Sequence, residues 1–86
     1  LILTRSSIID YLEEVTIAPI ASIIRQIPTE VLLGPRDGMA RDCLINLDHI
    51  QTVSKEKLGS LITTLPLTRM PELKQALLFA FALDTL

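Results

Sequence analysis

Between Val15 and Leu33 the chain reads V-T-I-A-P-I-A-S-I-I-R-Q-I-P-T-E-V-L-L, two β-branched runs interrupted by prolines. Val15, Ile17, Ile20, Ile23, Ile24, Ile27 and Val31 suit a pleated, half-buried surface better than a helix, where branched side chains lose rotamer freedom. Proline has no N–H to give to a ladder, so Pro19 and Pro28 fix where pairing must stop. The pattern predicts strands over residues 14–23 and 29–33 joined by an ordered loop. The first strand should lie at a sheet edge or break at a bulge at Pro19, and bulges re-aim the side chains that follow them. Those side chains are Ala21, Ser22 and Arg25.

The flanking segments extend this pattern. Leu1-Ile2-Leu3-Thr4 has the look of a strand interior, which predicts further residues ahead of Leu1, because a domain beginning there would expose an unpaired edge. Residues 5–12 carry serines suited to N-capping before Ile8, Ile9 and Leu12, enough for one or two helical turns, with Tyr11 a packing residue. Gly34-Pro35-Arg36-Asp37-Gly38 is a turn cluster and not a phosphate cradle, since Gly-rich phosphate loops open onto a helix and a strand follows here. Residues 42–47 predict a strand with Leu44 and Leu47 packed, Asp48-His49-Ile50 a tight corner, and Gln51-Thr52-Val53 the next extended piece. A helical turn over residues 55–59 closed by Gly59, a strand over residues 60–65 with Leu61 and Leu65 on one face, and a helix over residues 68–83 complete the chain. Thr68 is placed to cap that helix and Pro71 falls at its third position. Met70, Leu73, Leu77, Ala80 and Phe81 form its apolar stripe, broadened by Leu78 and Phe79.

Five or so short strands followed by one long helix make a single α+β domain over residues 1–86, a small, strongly bent antiparallel sheet or barrel with the helix laid against it. Apolar residues make up 49% of it, more than so small a domain comfortably hides, which predicts a homodimer. The longest apolar run, residues 76–83, is far short of the roughly 20 residues that cross a bilayer, so no membrane role is expected and the protein is read as soluble and cytoplasmic. Cys43 has no second cysteine to pair with and lies in a strand-like run, where it is a small core residue. His49 has no second His or Cys at ligand spacing, so no metal site is expected and the residue is read as structural or solvated. With a net charge of −2, no Trp, one Tyr and two Phe, composition offers neither a global attraction to nucleic acid nor a stacking platform.

In order and spacing, Ile17-Ala18-Pro19-Ile20-Ala21-Ser22-Ile23-Ile24-Arg25 followed by Ile27-Pro28-Thr29-Glu30-Val31 resembles the central block of the MazF/PemK toxins, small endoribonucleases of type II toxin–antitoxin systems. The similarity runs on through Gly34 to Gly38, Arg41-Asp42-Cys43, Asp48 to Val53, Lys55 to Gly59 and the final helix, and so covers almost the whole chain. It implies an SH3-like barrel or strongly bent sheet, a homodimer with a groove for single-stranded RNA across its interface, a cognate antitoxin, and mRNA cleavage that inhibits translation and growth. The implied chemistry needs no metal or other cofactor: the ribose 2′-hydroxyl attacks the adjacent phosphate, leaving a cyclic phosphate and a free 5′-hydroxyl.

The resemblance also assigns residues. The family's main catalytic groups are the arginine of an Arg-Pro pair, which with an earlier hairpin would lie ahead of Leu1, and a threonine whose place is taken by Ala21. Ser22, at a second hydroxyl position, is the remaining catalytic candidate, and the departure at Ala21 predicts weak or absent cleavage by the chain as it stands. Arg25, Gln51 and Thr52 are the RNA-binding candidates, against the plainer readings of a solvated loop cation and of polar decoration on the outer face of a strand. Two other functions fit the same fold: a gyrase poison of the CcdB kind, whose Trp-Gly-Ile end Leu83-Asp84-Thr85-Leu86 lacks, and a degenerate toxin that only titrates an antitoxin.

Overall fold

Pro19 divides the first long run in two. β1 (Glu14–Ile17) stops before Ala18, β2 (Ile20–Ala21) starts after the proline, and the two pair with different strands. This description rests on a computed structural model that describes residues 1–85. Leu86, the last residue of the terminus compared above with Trp-Gly-Ile, lies outside them.

The remaining strands are β3 (Glu30–Leu33), β4 (Cys43–Asn46) and β5 (Gln51–Ser54). One sheet pairs β1 with β5, the other has the order β2-β4-β3, and all pairs are antiparallel. Ile17 faces Gln51 and Ile20 faces Ile45, so a step of three residues on one side is matched by six on the other. The extra length is the 3-10 turn Leu47–His49, opposite Ala18 and Pro19. The Pro19 carbonyl, still free to accept, takes the Asn46 N–H at 2.8 Å, so the ladder bends at this point without coming apart. The result is two strongly bent antiparallel sheets rather than a closed barrel.

Leu1 to Thr4 run beside β1 as expected for a strand-like start: the Leu3 N–H donates to the Thr16 carbonyl at 2.8 Å and the Ala18 N–H to the Leu1 carbonyl at 2.9 Å. The core forms between the β2-β4-β3 sheet and the helix, from Ala18, Val31, Leu33, Cys43, Ile45, Leu47, Leu73 and Ala76. Leu44 and Leu47 are buried as predicted, and each fully buried side chain of this size contributes ~1.5–3 kcal/mol. Cys43 is buried among them, and that burial raises its thiol pKa, leaving a small apolar filler.

Helix α1 (Met70–Ala80) is shorter than predicted and is entered differently. A 3-10 turn, Leu67–Arg69, feeds straight into it, so Thr68 lies inside that turn, no side chain caps the helix, and Pro71 is its second residue. The helix ends where Ala82 adopts a left-handed φ of 57°. Its inner stripe is Leu73 and Ala76 with Leu77 and Ala80 partly covered, whereas Met70, Phe79 and Phe81 remain exposed. It packs on β3 and on the Leu47–His49 turn.

Three local expectations are corrected. The predicted turns near Ser6 form a 3-10 helix, Ser6–Tyr11, whose N-cap is Arg5 and which uses neither serine as a cap, and Tyr11, expected to pack, is 86% exposed. The Lys55–Lys57 turn closes on the Leu58 N–H rather than on Gly59, and Ser54 caps its start. Residues 60–65 form no strand: Leu61 is 82% exposed, and the segment is held by Thr63, whose hydroxyl donates to the Asp37 carbonyl at 2.9 Å. An alternating pattern makes a strand only if a ladder edge is available, and none receives this segment.

Candidate functional site

β2 delivers the segment singled out by sequence. Ala21, its last residue, is half-buried opposite Leu44, and Ser22 is the first exposed residue beyond it. Gln51 and Thr52, the first two residues of β5, are both exposed and pair with Ile17 and Thr16. No side-chain hydrogen bond ties Ser22, Gln51 or Thr52 to another of the described residues. Also among the described residues, no group of three or more His, Cys, Asp or Glu side chains is arranged to hold a metal ion.

Arg25 is a different case: its side chain is exposed but paired with two carboxylates. Its Nε donates to Glu30 Oε2 at 2.6 Å and its Nη2 to Asp48 Oδ2 at 3.3 Å. The other Glu30 oxygen accepts the backbone N–H groups of Arg25 at 3.0 Å and Gln26 at 3.1 Å. One carboxylate thus organises the whole turn after Ser22. Gln26 has a φ of 58°, a left-handed conformation that costs a non-glycine residue about 1–2 kcal/mol and that the Glu30 bonds hold in place. The Glu30 side chain is 1% exposed, and Glu30 itself is fixed on β3 by pairing with Asn46. Burial opposes its ionisation, but the bonds from the Arg25 side chain and from the two backbone N–H groups outweigh it and lower its pKa below the ordinary carboxylate value. The same bond to Glu30, ahead of the attraction of Asp48, raises the Arg25 pKa still further.

Asp48 belongs to the turn that links β4 to β5, where the Asn46 side chain accepts its backbone N–H at 3.0 Å. Arg25 therefore joins the loop after Ser22 to the turn that precedes Gln51 and Thr52. Neither carboxylate was identified as a site residue from sequence. The available signal was an Arg and a Glu five positions apart across Pro28, a spacing that suggests contact only once the loop is known to fold back.

A second arginine shows what a structural clasp looks like in this fold. Arg69 bonds Asp37, the Leu32 carbonyl and both oxygens of Glu72, tying α1 to β3 and to the 3-10 turn Pro35–Asp37. Asp37 also accepts the Gly34 N–H at 3.0 Å, and the Arg69 bond followed by this one lowers its pKa. Gly38 closes that turn at a φ of 86°, where a Cβ would also collide with Thr63.

Residues 1–81 match the family described as PemK-like, MazF-like toxin of type II toxin–antitoxin systems. The endoribonuclease MazF3 of Mycobacterium tuberculosis is 36% identical over 84 residues, which span 98% of this chain and 82% of that protein. Among solved structures, the Mycobacterium tuberculosis toxin MazF-mt6 superposes with a TM-score of 0.92 at 34% identity, covering 95% of this chain and 83% of that one. A mycobacterial endoribonuclease in complex with its cognate antitoxin gives a TM-score of 0.83 at 28% identity, covering 96% and 79%. A match through almost the whole chain, carried by the same bent antiparallel sheets and C-terminal helix, establishes that this chain belongs to the PemK-like, MazF-like toxin family of type II toxin–antitoxin systems.

Proposed function

We propose that this chain is a toxin whose activity is endonucleolytic cleavage of single-stranded RNA in the cytoplasm, and that a cognate antitoxin holds it in check. The observation that carries the reading is its 36% identity to an endoribonuclease over 98% of its length. In the proposed reaction the ribose 2′-hydroxyl loses its proton and attacks the adjacent phosphorus, the bond to the 5′-oxygen breaks, and that oxygen takes up a proton. The products are a cyclic phosphate and a free 5′-hydroxyl. A cation and hydrogen-bond donors over the phosphate are the protein's contribution to such a step, and no metal is required of it. Arg25, Gln51 and Thr52 are proposed to hold the RNA and Ser22 to donate to the phosphate, with Ala21 standing where the family's threonine would be. The family's Arg-Pro pair, ahead of Leu1, is proposed to supply the main cation.

Assembly as a homodimer is part of this reading. Leu61 and Leu67 are each more than four-fifths exposed, with Ile62, Phe79 and Phe81 also uncovered, which is more apolar surface than a small monomer ordinarily leaves in water. No helix among the described residues is long and apolar enough to cross a membrane. The test is incubation of the purified protein with defined single-stranded RNAs in excess chelator, beside a DNA gyrase inhibition assay. Cyclic-phosphate products support the ribonuclease. Gyrase inhibition without RNA cleavage, or antitoxin binding with neither activity, would replace it with a binding role.

A further inference from the structure

We infer that Glu30 and Asp48 divide the control of Arg25 between them: Glu30 is a positioning residue that holds the arginine ready for an RNA phosphate, and Asp48 is an internal competitor that the phosphate displaces. This inference rests on the RNA-binding reading above and deepens it.

The two carboxylates hold Arg25 in unlike ways. Glu30 is buried and makes three bonds to the turn, one to Nε at 2.6 Å and two to backbone N–H groups. No ligand gains by breaking these, since the loop would lose its shape. Asp48 has a side chain that is 30% exposed and makes one contact with Nη2, at 3.3 Å. Contacts of this kind, open to water and long, contribute little and are readily exchanged. Arginine has five N–H donors, and Arg25 has its Nη1 pair and one Nη2 hydrogen without a partner among the described residues. Arginine binds phosphate best through two parallel N–H donors, and Asp48 occupies one donor of Nη2. The Arg25 side chain is 44% exposed, whereas the clasp arginine, Arg69, is 22% exposed and spends its donors on three elements at once. Arg25 is thus fixed from behind and loosely covered in front.

The experiment measures binding of a 2′-O-methyl single-stranded oligonucleotide pool, which lacks the attacking hydroxyl, by fluorescence anisotropy. Asp48→Asn should tighten binding about two- to fivefold, the value of an exposed ion pair, because Arg25 then has no carboxylate to leave before it meets the phosphate. Glu30→Gln should weaken it about tenfold by releasing the loop. Each substitution removes one negative charge, so a simple change of field would move both in the same direction. In an Arg25→Gln background both effects should vanish if the two carboxylates act through the arginine. Tightening by both single variants, or an Asp48→Asn gain that persists without Arg25, overturns the inference. So does weakening by Asp48→Asn. If Glu30→Gln does not fold, the Asp48 and Arg25 cycle still decides. A parent protein that binds no RNA refutes the RNA reading itself, and the inference falls with it; a parent that binds while the cycle shows no coupling refutes the inference alone.

Discussion

Ala21→Thr is the substitution on which the catalytic reading turns. Ala21 ends β2, half-buried and opposite Leu44, so a β-branched replacement suits the strand and its added atoms need not enter the closed core. The stability change should stay within about 1 kcal/mol. What the variant gains is a hydroxyl at the end of β2, on the segment that leads to Arg25. One preorganised donor aimed at developing charge is worth about 10²–10³ in rate, roughly 3–4 kcal/mol. The full value is not expected, because Arg25 already divides its charge between Glu30 and Asp48 and the neighbouring Ser22 hydroxyl is untethered. A gain of at least about tenfold, or ~1.4 kcal/mol of transition-state stabilisation, is the expectation. The assay is cleavage of single-stranded RNA in excess chelator, in a chain carrying the family's Arg-Pro pair ahead of Leu1. The gain should appear in kcat rather than KM, since the new donor acts on charge that develops only in the transition state. Ser22→Ala in the same background tests the rival assignment. An unchanged rate for Ala21→Thr together with loss of cleavage in Ser22→Ala would refute the reasoning and make Ser22 the working donor.

Three further outcomes are expected. The Thr29 Oγ1 atom is buried with no hydrogen-bond partner among the described residues, so Thr29→Val, nearly isosteric, should stabilise the fold by about 1 kcal/mol in urea denaturation; a loss of that size would mean the hydroxyl is satisfied in solution. Glu30 and Asp37 have folded-state pKa values below their unfolded ones, so their stabilisation is present above the unfolded values, near pH 4, and is lost as pH falls through the lower folded values. Asp37→Asn should therefore lower the melting temperature at pH 7 and shrink the difference from the parent near pH 3, and an undiminished difference at acid pH would contradict the sign. Sedimentation equilibrium at tens of micromolar, about the upper range of ordinary dimer affinities, should give a dimer, and a monomer there would count against the proposed assembly.

Much of the β framework is written locally. The break at Pro19, the start of β3 after Pro28 and the turn at Gly34 to Gly38 follow from residues that forbid or require a backbone conformation where they stand. The burial of Leu44 and Leu47 was legible from a short apolar run, although β4 is buried on both faces and does not alternate. The family, too, was legible, in the order and spacing of blocks none of which is a strong motif alone.

What the sequence could not decide is whatever depends on a partner distant in the chain. Whether β1 and β2 share a sheet rests on the three extra residues opposite Pro19, contributed from the far side of β4. Residues 60–65 alternate like a strand but find no ladder edge, and Thr68 has a capping side chain but enters the helix inside a 3-10 turn. The state of Arg25 is the same problem at the site: the sequence supplies a cation in a loop, and only the fold brings Asp48, 23 positions away, against one edge of it while burying Glu30 behind the other. Charge is a property of residues, but its availability to a phosphate depends on what tertiary packing has already placed against it.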